Sequence, residues 1–539
     1  MSAIIDLMLV QARRDRIVLP VWILGIAFLG FAVAGAVATE FADEAERSAI
    51  LMVAAASPTF RFVRGLPDGS GIGAVVFFQG YAFTAVLAGL MSTFLVIRHT
   101  RADEELGRGE LIGAVPIPRA APLTATLLLG AAANLVLAIC VAAGLAAAGL
   151  PGPGAITAGA AVGAAGVFFV AVAATIAQVM PSGRAANGAA AALVGAAYFV
   201  RGIGDALGTP TADLTRVTSG WVSLFSPIGW GQRSRPFSAA DPAPLLVLAA
   251  AATALAVAVM VLRNRRDLGA SLLPERAGPE RAGAGGASFL GLAWRQQQPT
   301  LIGWCLFAAL LDGIAGSLGP VVSDVIGGND SLRELILRLV PGTRAEIIDV
   351  FTAALLGIAG VLAAAAGIQA MLRLRTEEAE GRAELLLATP RSRARWLGAN
   401  LILAAASATV VAAVAGTAAT AGLTLSGVGN GPPGLLIGSA LAHVPAAAVF
   451  VAATAVAFAA VPRVSIPLGW AMLAGGLVLG QFGELLRLPA WLQDVSPFRH
   501  SAAMPVEPFD PEAALTMTTI ALAGAGIAAY LFRRRDLTP

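Results

Sequence analysis

The sequence predicts an all-α polytopic membrane protein of twelve transmembrane helices arranged as two parallel six-helix repeats. Three observations carry that expectation. Apolar runs of about 20 residues, the length that crosses a bilayer, recur twelve times. Some 57% of the residues are hydrophobic and only 13% charged, where a soluble domain would be far more polar. Landmarks of the first half also return, in order, in the second.

The runs of the first half cover 17–39, 73–97, 122–148, 156–180, 186–207 and 243–262. Those of the second cover 300–320, 350–372, 397–424, 434–461, 465–486 and 513–532. The first run is longer than the apolar core of a signal peptide, about 7 to 15 residues, and reads as a retained span. Two connecting stretches, 40–72 and 321–349, are too long for simple turns. In the second, Leu332, Leu335, Ile336 and Leu339 keep helical spacing, as in a helix lying on a membrane surface.

Arg13 and Trp22 correspond to Arg295 and Trp304, both pairs 282 residues apart. Arg101, Glu104, Gly107, Arg108, Glu110, Leu111, Ala114, Pro116 and Arg119 return 274 residues later as Arg375, Glu378, Gly381, Arg382, Glu384, Leu385, Ala388, Pro390 and Arg393. "GWVSLFSP" is answered by "AWLQDVSP", and both halves close on "RRDL". Ordered landmarks at nearly constant offset indicate a tandem duplication, with an even number of spans per copy and therefore a parallel repeat. The boundaries are 1–268 for the first six-span repeat, 269–288 for a Pro-, Gly- and Arg-rich cytoplasmic linker, and 289–539 for the second repeat.

Arginine placement sets the expected orientation. With both termini cytoplasmic, 24 arginines fall on the inner side and 12 on the outer. The segments 101–116 and 375–390 then face the cytoplasm, and the chain is expected in a bacterial cytoplasmic membrane.

All 36 basic residues are arginines. Without lysine the chain cannot carry the G-x-x-x-x-G-K-[ST] phosphate loop, so any ATP is hydrolysed by another subunit. A net charge of +3, with the arginines lodged between apolar runs, argues against nucleic acid. Cys140 and Cys305 lie in apolar runs without metal-ligand spacing and read as packing thiols. His99, His443 and His500 are scattered, and no metal site is expected.

Glu104 and Arg108, like Glu378 and Arg382, stand four apart in the order that favours a helical ion pair, worth about 0.2 to 0.5 kcal/mol. Each segment thus reads as a short helix stopped at Pro116 or Pro390. Each keeps a mid-helix glycine, Gly107 or Gly381, which costs about 1 kcal/mol relative to Ala and suggests close backbone approach. Retention of Glu104, Gly107, Arg108 and Glu110 as Glu378, Gly381, Arg382 and Glu384 marks a surface that meets a partner rather than a solvated loop.

Ionisable groups in or beside the spans are functional candidates by default. Arg201 and Asp205 are spaced to pair on one helix face, and Glu484 with Arg487 occupies the corresponding end of span eleven. Both pairs read as interface-level salt bridges or as gate or cavity lining. Asp312 is the only carboxylate near mid-span. Phe77, Phe78 and Tyr81 in span two either line a route for a hydrophobic substrate or pack. Segments 208–242 and 487–512, rich in Trp and Ser-Pro, either re-enter the bilayer or anchor at its interface.

The amphipathic "LMLVQARRDR", six spans per half, the charged helix after span two, the insertion after span five and the basic ending together resemble the ABC-2 type exporter permeases, also described as type V exporter-like. "RRDLGASLLPERAGP" and "GRGELIGAVPIPR" are similar to the fused, duplicated actinobacterial branch described as exporters of polyketide antibiotics, the tetronasin type. The resemblance covers nearly the whole chain. It implies that 2–16 is a connecting helix and that 101–114 and 375–388 are coupling helices docking on two copies of a separate ABC ATPase subunit. Those subunits would bind the ATP and Mg, with no cofactor in this chain. It also implies re-entrant elements at 208–242 and 487–512, and outward movement of a small hydrophobic or amphipathic substrate.

A proton-coupled twelve-span secondary drug antiporter is the alternative. Its usual G-x-x-x-D-R-x-G-R-R loop is not matched by "RADEELGRGE", and it would want more mid-membrane carboxylates than Asp312. A membrane enzyme would need a convergent His, Asp or Cys cluster, which the sequence does not offer.

Overall fold

Long runs of Ala, Val, Leu and Gly can satisfy their backbone in lipid only as helices or closed barrels, and here they form helices. The computed structural model describes residues 2–212, 214–265, 271–273, 283, 288–319, 347–390, 392–427, 434–481 and 488–536. Among these, twelve helices are long and apolar enough to cross a membrane. The chain divides into two compact units, Met1–Ala277 and Gly278–Pro539.

The first unit runs α1 (Ser2–Arg14), α2 (Val18–Glu40), α3 (Glu44–Ala56), α4 (Pro58–Arg64), α5 (Ile72–His99), α6 (Arg101–Glu105), α7 (Arg108–Gly113), α8 (Ala121–Ala147), α9 (Gly152–Val179) and α10 (Gly183–Ala206). A two-residue hairpin, β1 (Thr209–Pro210) with β2 (Val217–Thr218), then α11 (Pro227–Gln232) and α12 (Ala243–Asn264), complete it. The axial helix is α5, whose Val75, Ala82, Ala85, Ala88 and Val96 have no solvent access. It packs on α2, α8, α9 and α10. The long 40–72 connection folds into α3 and α4. Ser57 caps α4 by accepting the Phe60 amide at 3.2 Å, and Pro58 fits its first turn, where a missing N–H costs nothing.

The second unit runs α13 (Phe289–Ser317), α14 (Ile347–Ala379), α15 (Arg382–Leu387), α16 (Arg393–Leu425), α17 (Gly434–Leu441), α18 (Val444–Ala460), α19 (Ser465–Gln481), α20 (Ala490–Gln493) and α21 (Pro511–Arg534). Its axial helix is α14, with Leu356, Ala359, Ala363, Ala364 and Ile368 fully buried, packed on α13, α16, α18 and α19.

Three local features differ from the sequence reading. Residues 434–461, expected as one helix, break at Ala442 and His443 into α17 and α18. Pro445, in the first turn of α18, cannot donate to the preceding turn. The expected start of span seven, residue 300, lies inside α13, which runs on through Pro299. The segment expected at 101–116 as one helix is two, α6 and α7. The amphipathic stretch around Leu332 to Leu339 falls outside the described residues.

Helices that gain nothing from leaving lipid for one another associate through small residues and close contact. The tightest case in the second unit is α13 against α16. A Cβ on Gly422 would sit 2.2 Å from the Gly313 carbonyl oxygen, and one on Gly316 would sit 2.5 Å from the Ala419 oxygen. Gly526, on α21, has nothing within 4 Å of its own Cβ position. Gly422→Ala is therefore expected to destabilise by about 1 to 3 kcal/mol through overpacking, seen as a lower midpoint in thermal unfolding of the purified protein. Gly526→Ala should leave that midpoint unchanged or raise it slightly.

Candidate functional site

The charged segment of the first unit hangs from the end of α5, and its polar groups are consumed in fixing it there. Arg14, the last residue of α1, donates to both oxygens of Asp103 at 2.6 and 3.1 Å. Arg108 donates to the same carboxylate at 3.0 Å. Asp15 accepts from Arg98 and pairs with His99 Nε2 at 2.7 Å. Burial pushes the Asp15 carboxyl up, but His99 and Arg98 outweigh it and hold it below the usual carboxylate range. Arg101 donates to the Pro181 carbonyl and, at 3.0 Å, to Glu104, while Arg263, near the end of α12, reaches Glu104 at 3.4 Å. Glu105 accepts the Gly183 amide at 2.9 Å. One short segment thus ties together α1, α5, α10 and α12.

The second unit carries an equivalent clamp. Glu377 accepts from Arg373 at 3.1 Å and from Arg382 at 2.7 and 2.9 Å. Arg382 also pairs with Glu380. Arg535, just past α21, holds both oxygens of Glu378 at 2.7 and 2.8 Å and donates to the Phe458 carbonyl at 3.0 Å. Its guanidinium lies over the Phe458 and Phe532 rings at 5.0 and 5.3 Å, a placement that favours the cation electrostatically.

The expected i,i+4 pairs are therefore corrected. Arg108 pairs with Asp103 rather than Glu104, and Arg382 with Glu377 and Glu380 rather than Glu378. Gly107 and Gly381 explain the change, because they sit in the left-handed region at φ +70° and +71° and end one helix before the next begins. The helical register that would bring residue i+4 over residue i is lost. The expected close approach is corrected too, since nothing in the chain lies within 4 Å of a Cβ on either glycine. What each needs is its backbone conformation, which costs an L-residue about 1 to 2 kcal/mol.

This geometry sorts the segment's residues. Glu104 and Glu378 face inward, with side chains 11% and 2% exposed. Glu110, Glu384, Leu111 and Leu385 face outward, the leucines 74% and 76% exposed. Sequence reasoning had noted that Leu111 recurs as Leu385 without singling either out. It missed Asp103 and Glu377, which also stand 274 residues apart but differ in type, so a search for identities passes over them.

At the far end of α5 and α10 lies a second polar cluster. Arg201 and Asp205, expected at interface level, are completely buried. Arg201 donates to Asp205 at 2.9 Å and to the Phe62 carbonyl at 2.7 Å, and its guanidinium lies 4.6 Å from the Tyr198 ring centre. Asp205 further accepts from Gln232 at 3.1 Å and Ser219 at 3.0 Å. Tyr81 donates to the Ile228 carbonyl at 3.0 Å, and Ser226 to the Ala197 carbonyl at 2.6 Å. The cluster pins the 219–232 connection, including α11, onto α5 and α10. Beside it is a cavity of about 390 Å³ lined by Phe77, Gln232, Arg233, Arg235 and Phe237 among others. Phe77 stacks on Tyr81 at 4.6 Å and Phe78 on Phe60 at 6.0 Å. Of the three aromatics singled out, Phe77 lines that cavity, while Phe78 and Tyr81 are buried.

In the second unit, Ser496 donates to the Gly476 carbonyl at 2.7 Å, a local match to Ser226. Glu484 and Arg487 lie outside the described residues. Asp312 is fully enclosed, with neither carboxylate oxygen hydrogen-bonded. The structure brings it near no other candidate residue named from the sequence. His443, at the break between α17 and α18, is also buried with both ring nitrogens unpartnered, its side chain packed on Gly360.

An all-α chain with twelve such helices is a multi-pass membrane protein, and its similarities place it among transporter permeases. The family described as "Multidrug efflux system permease Rv1217c, C-terminal domain" matches residues 287–533. Over 536 residues, 99% of this chain and 95% of the relative, it is 34% identical to the multidrug efflux system permease protein Rv1217c of Mycobacterium tuberculosis. The chain belongs to this permease family.

Breaking one arm of a buried ion pair leaves its partner uncompensated and typically costs about 3 to 5 kcal/mol. Glu378→Gln, which strands Arg535, is expected to lower the thermal unfolding midpoint clearly. Glu384→Gln, on the exposed face of α15, should not move it.

Proposed function

We propose that this chain is the membrane subunit of an ATP-binding-cassette exporter that carries small hydrophobic or amphipathic molecules outward across a bacterial cytoplasmic membrane. ATP and Mg bind to two copies of a separate ATPase, which dock on α7 and α15 from the cytoplasm. The observation that carries this reading is the form of those two helices. Each presents a leucine and a glutamate outward, Leu111 with Glu110 and Leu385 with Glu384, on a base stapled by buried ion pairs. Large apolar side chains bordered by charge are the surface of a protein contact rather than of a solvated loop. A contact on a stapled base passes its displacement to the helices below it.

In this reading Glu104, Arg108, Glu378 and Arg382 position the docking helices, and Glu110, Leu111, Glu384 and Leu385 meet the ATPase. The duplicated landmarks supply one docking helix per half, and the missing lysine requires the ATPase to be separate. The Arg201–Asp205 cluster then lies at the outer end, where it would hold the 219–232 element as part of a gate. The printed name of the Mycobacterium tuberculosis relative, a multidrug efflux permease, supports a small-molecule cargo.

Asp312 supports the second reading, a proton-coupled antiporter, because an enclosed carboxylate without partners is the kind of group such a carrier employs. Co-expression with an ATPase encoded beside the chain separates the two. The first reading expects co-purification, and expects Leu111→Glu and Leu385→Glu together to release the ATPase and abolish export from inverted vesicles without lowering the unfolding midpoint. Export that persists without any ATPase, collapses with a protonophore and is lost in Asp312→Asn sinks it in favour of the antiporter.

A further inference from the structure

A second cavity of about 390 Å³ opens at the charged end of the first unit, enclosed by α1, the α5–α7 segment, α8, α9 and α12. Its walls are of two kinds. Leu7, Val10, Ile112, Ile117 and Leu123 make one side apolar, and Arg14, Arg119, Arg263, Asp103 and Glu104 bring charge to the other. Three arginines face two carboxylates, so the lining carries a net positive charge. Arg14 is committed to Asp103 and Arg263 to Glu104. Arg119, exposed at the mouth, makes no ion pair among the described residues. Gln11, also in the lining, is nine-tenths buried. Its amide nitrogen donates to Thr126 at 2.9 Å, and its Oε1 has no donor.

The setting is that of a membrane surface. On α1, Ile5, Leu9 and Val10 are about half exposed, while Gln11 and Met8 turn inward, and a helix of this kind lies in the interface plane. A ligand suited to the cavity has an apolar part for the leucine and isoleucine wall, a negative charge for Arg119 and a donor for Gln11. Basic pockets between helices at the interface take anionic lipid head groups.

We infer that this cavity binds the head group of an anionic phospholipid with a hydroxylated head, of the phosphatidylglycerol type. Its phosphate meets Arg119, a head-group hydroxyl donates to Gln11, and its chains leave along Leu7 and Val10. The site belongs to the first unit alone and does not depend on ATPase docking.

The test is native mass spectrometry of the full chain released from detergent after incubation with phosphatidylglycerol or phosphatidylcholine. The wild type is expected to retain phosphatidylglycerol about fivefold more than phosphatidylcholine, the effect of roughly one well-placed arginine. Arg119→Gln, which breaks no ion pair of the fold, should erase that preference with the unfolding midpoint unchanged. Arg395→Gln, removing an exposed arginine of the second unit, should preserve it. Three results overturn the inference. They are no lipid preference in the wild type, equal loss in Arg119→Gln and Arg395→Gln, which is general surface attraction, and displacement of the lipid by millimolar inorganic phosphate, which is a free-anion site.

Discussion

A charge drawn into a helical membrane protein must find its partner within the protein, because neither lipid nor distant water will supply one. The clamps at Asp103 with Glu104 and at Glu377 with Glu378 are where this constraint is met. Each sits where an axial helix, α5 or α14, leaves the apolar region, and each gathers arginines from elements far apart in sequence: Arg14 and Arg263 in the first unit, Arg535 in the second. An ion pair between such distant residues fixes the rotation and height of the helices it joins. Apolar packing between Ala-rich surfaces, which are smooth and alike, does this poorly. Close contacts such as Gly422 on Gly313 then set how near the helices come, while the clamps set their register.

The same constraint makes α7 and α15 what they are. With every inward charge consumed below the glycine, the residues beyond it have no partner in their own unit and stand outward. The left-handed glycine separates an anchored half from a presented half. A continuous helix would have turned Glu110 and Leu111 by a fixed angle from Glu104 and Arg108 and spread anchor and contact round one cylinder. The break permits α6 to be buried and α7 to have no buried residue at all.

The twelve helices were legible in the sequence because an apolar run of bilayer length has few alternatives, and their boundaries fall within a few residues except where a proline intervenes. Pro445 broke span ten and Pro299 did not break α13, since the cost of a proline depends on whether neighbouring packing replaces the lost hydrogen bond. Of the candidate sites, the location of the docking segments was legible from the recurrence of their charges, and their pairing was not. Spacing suggests Glu104 with Arg108, but spacing predicts contact only within an unbroken helix, and Gly107 removes that condition. Arg263 and Arg535 could not be paired with carboxylates well over a hundred residues away by any local pattern. The burial of Arg201 and Asp205 was hidden for a similar reason, as the residues that cover them come from α4 and from the 219–232 connection.

The two units solve the same problem with unequal means. In the first, the chain turns between Arg14 and Val18, and that turn lets Asp15 reach Arg98 and His99 and opens space beneath α1. In the second, α13 runs unbroken from Phe289 to Ser317, so no turn follows its arginine-bearing lead-in, and a group at that position stays on the helix surface. The second unit instead encloses Asp312 and His443 with no partner for either, at a cost the first unit avoids by surrounding Arg201 and Asp205 with Gln232, Ser219 and the Phe62 carbonyl. Buried groups left unsatisfied in one copy and satisfied in the other mean that a movement of each unit would meet different resistance. Fusion of two copies into one chain permits this divergence, because a symmetric dimer would have to carry every such change twice.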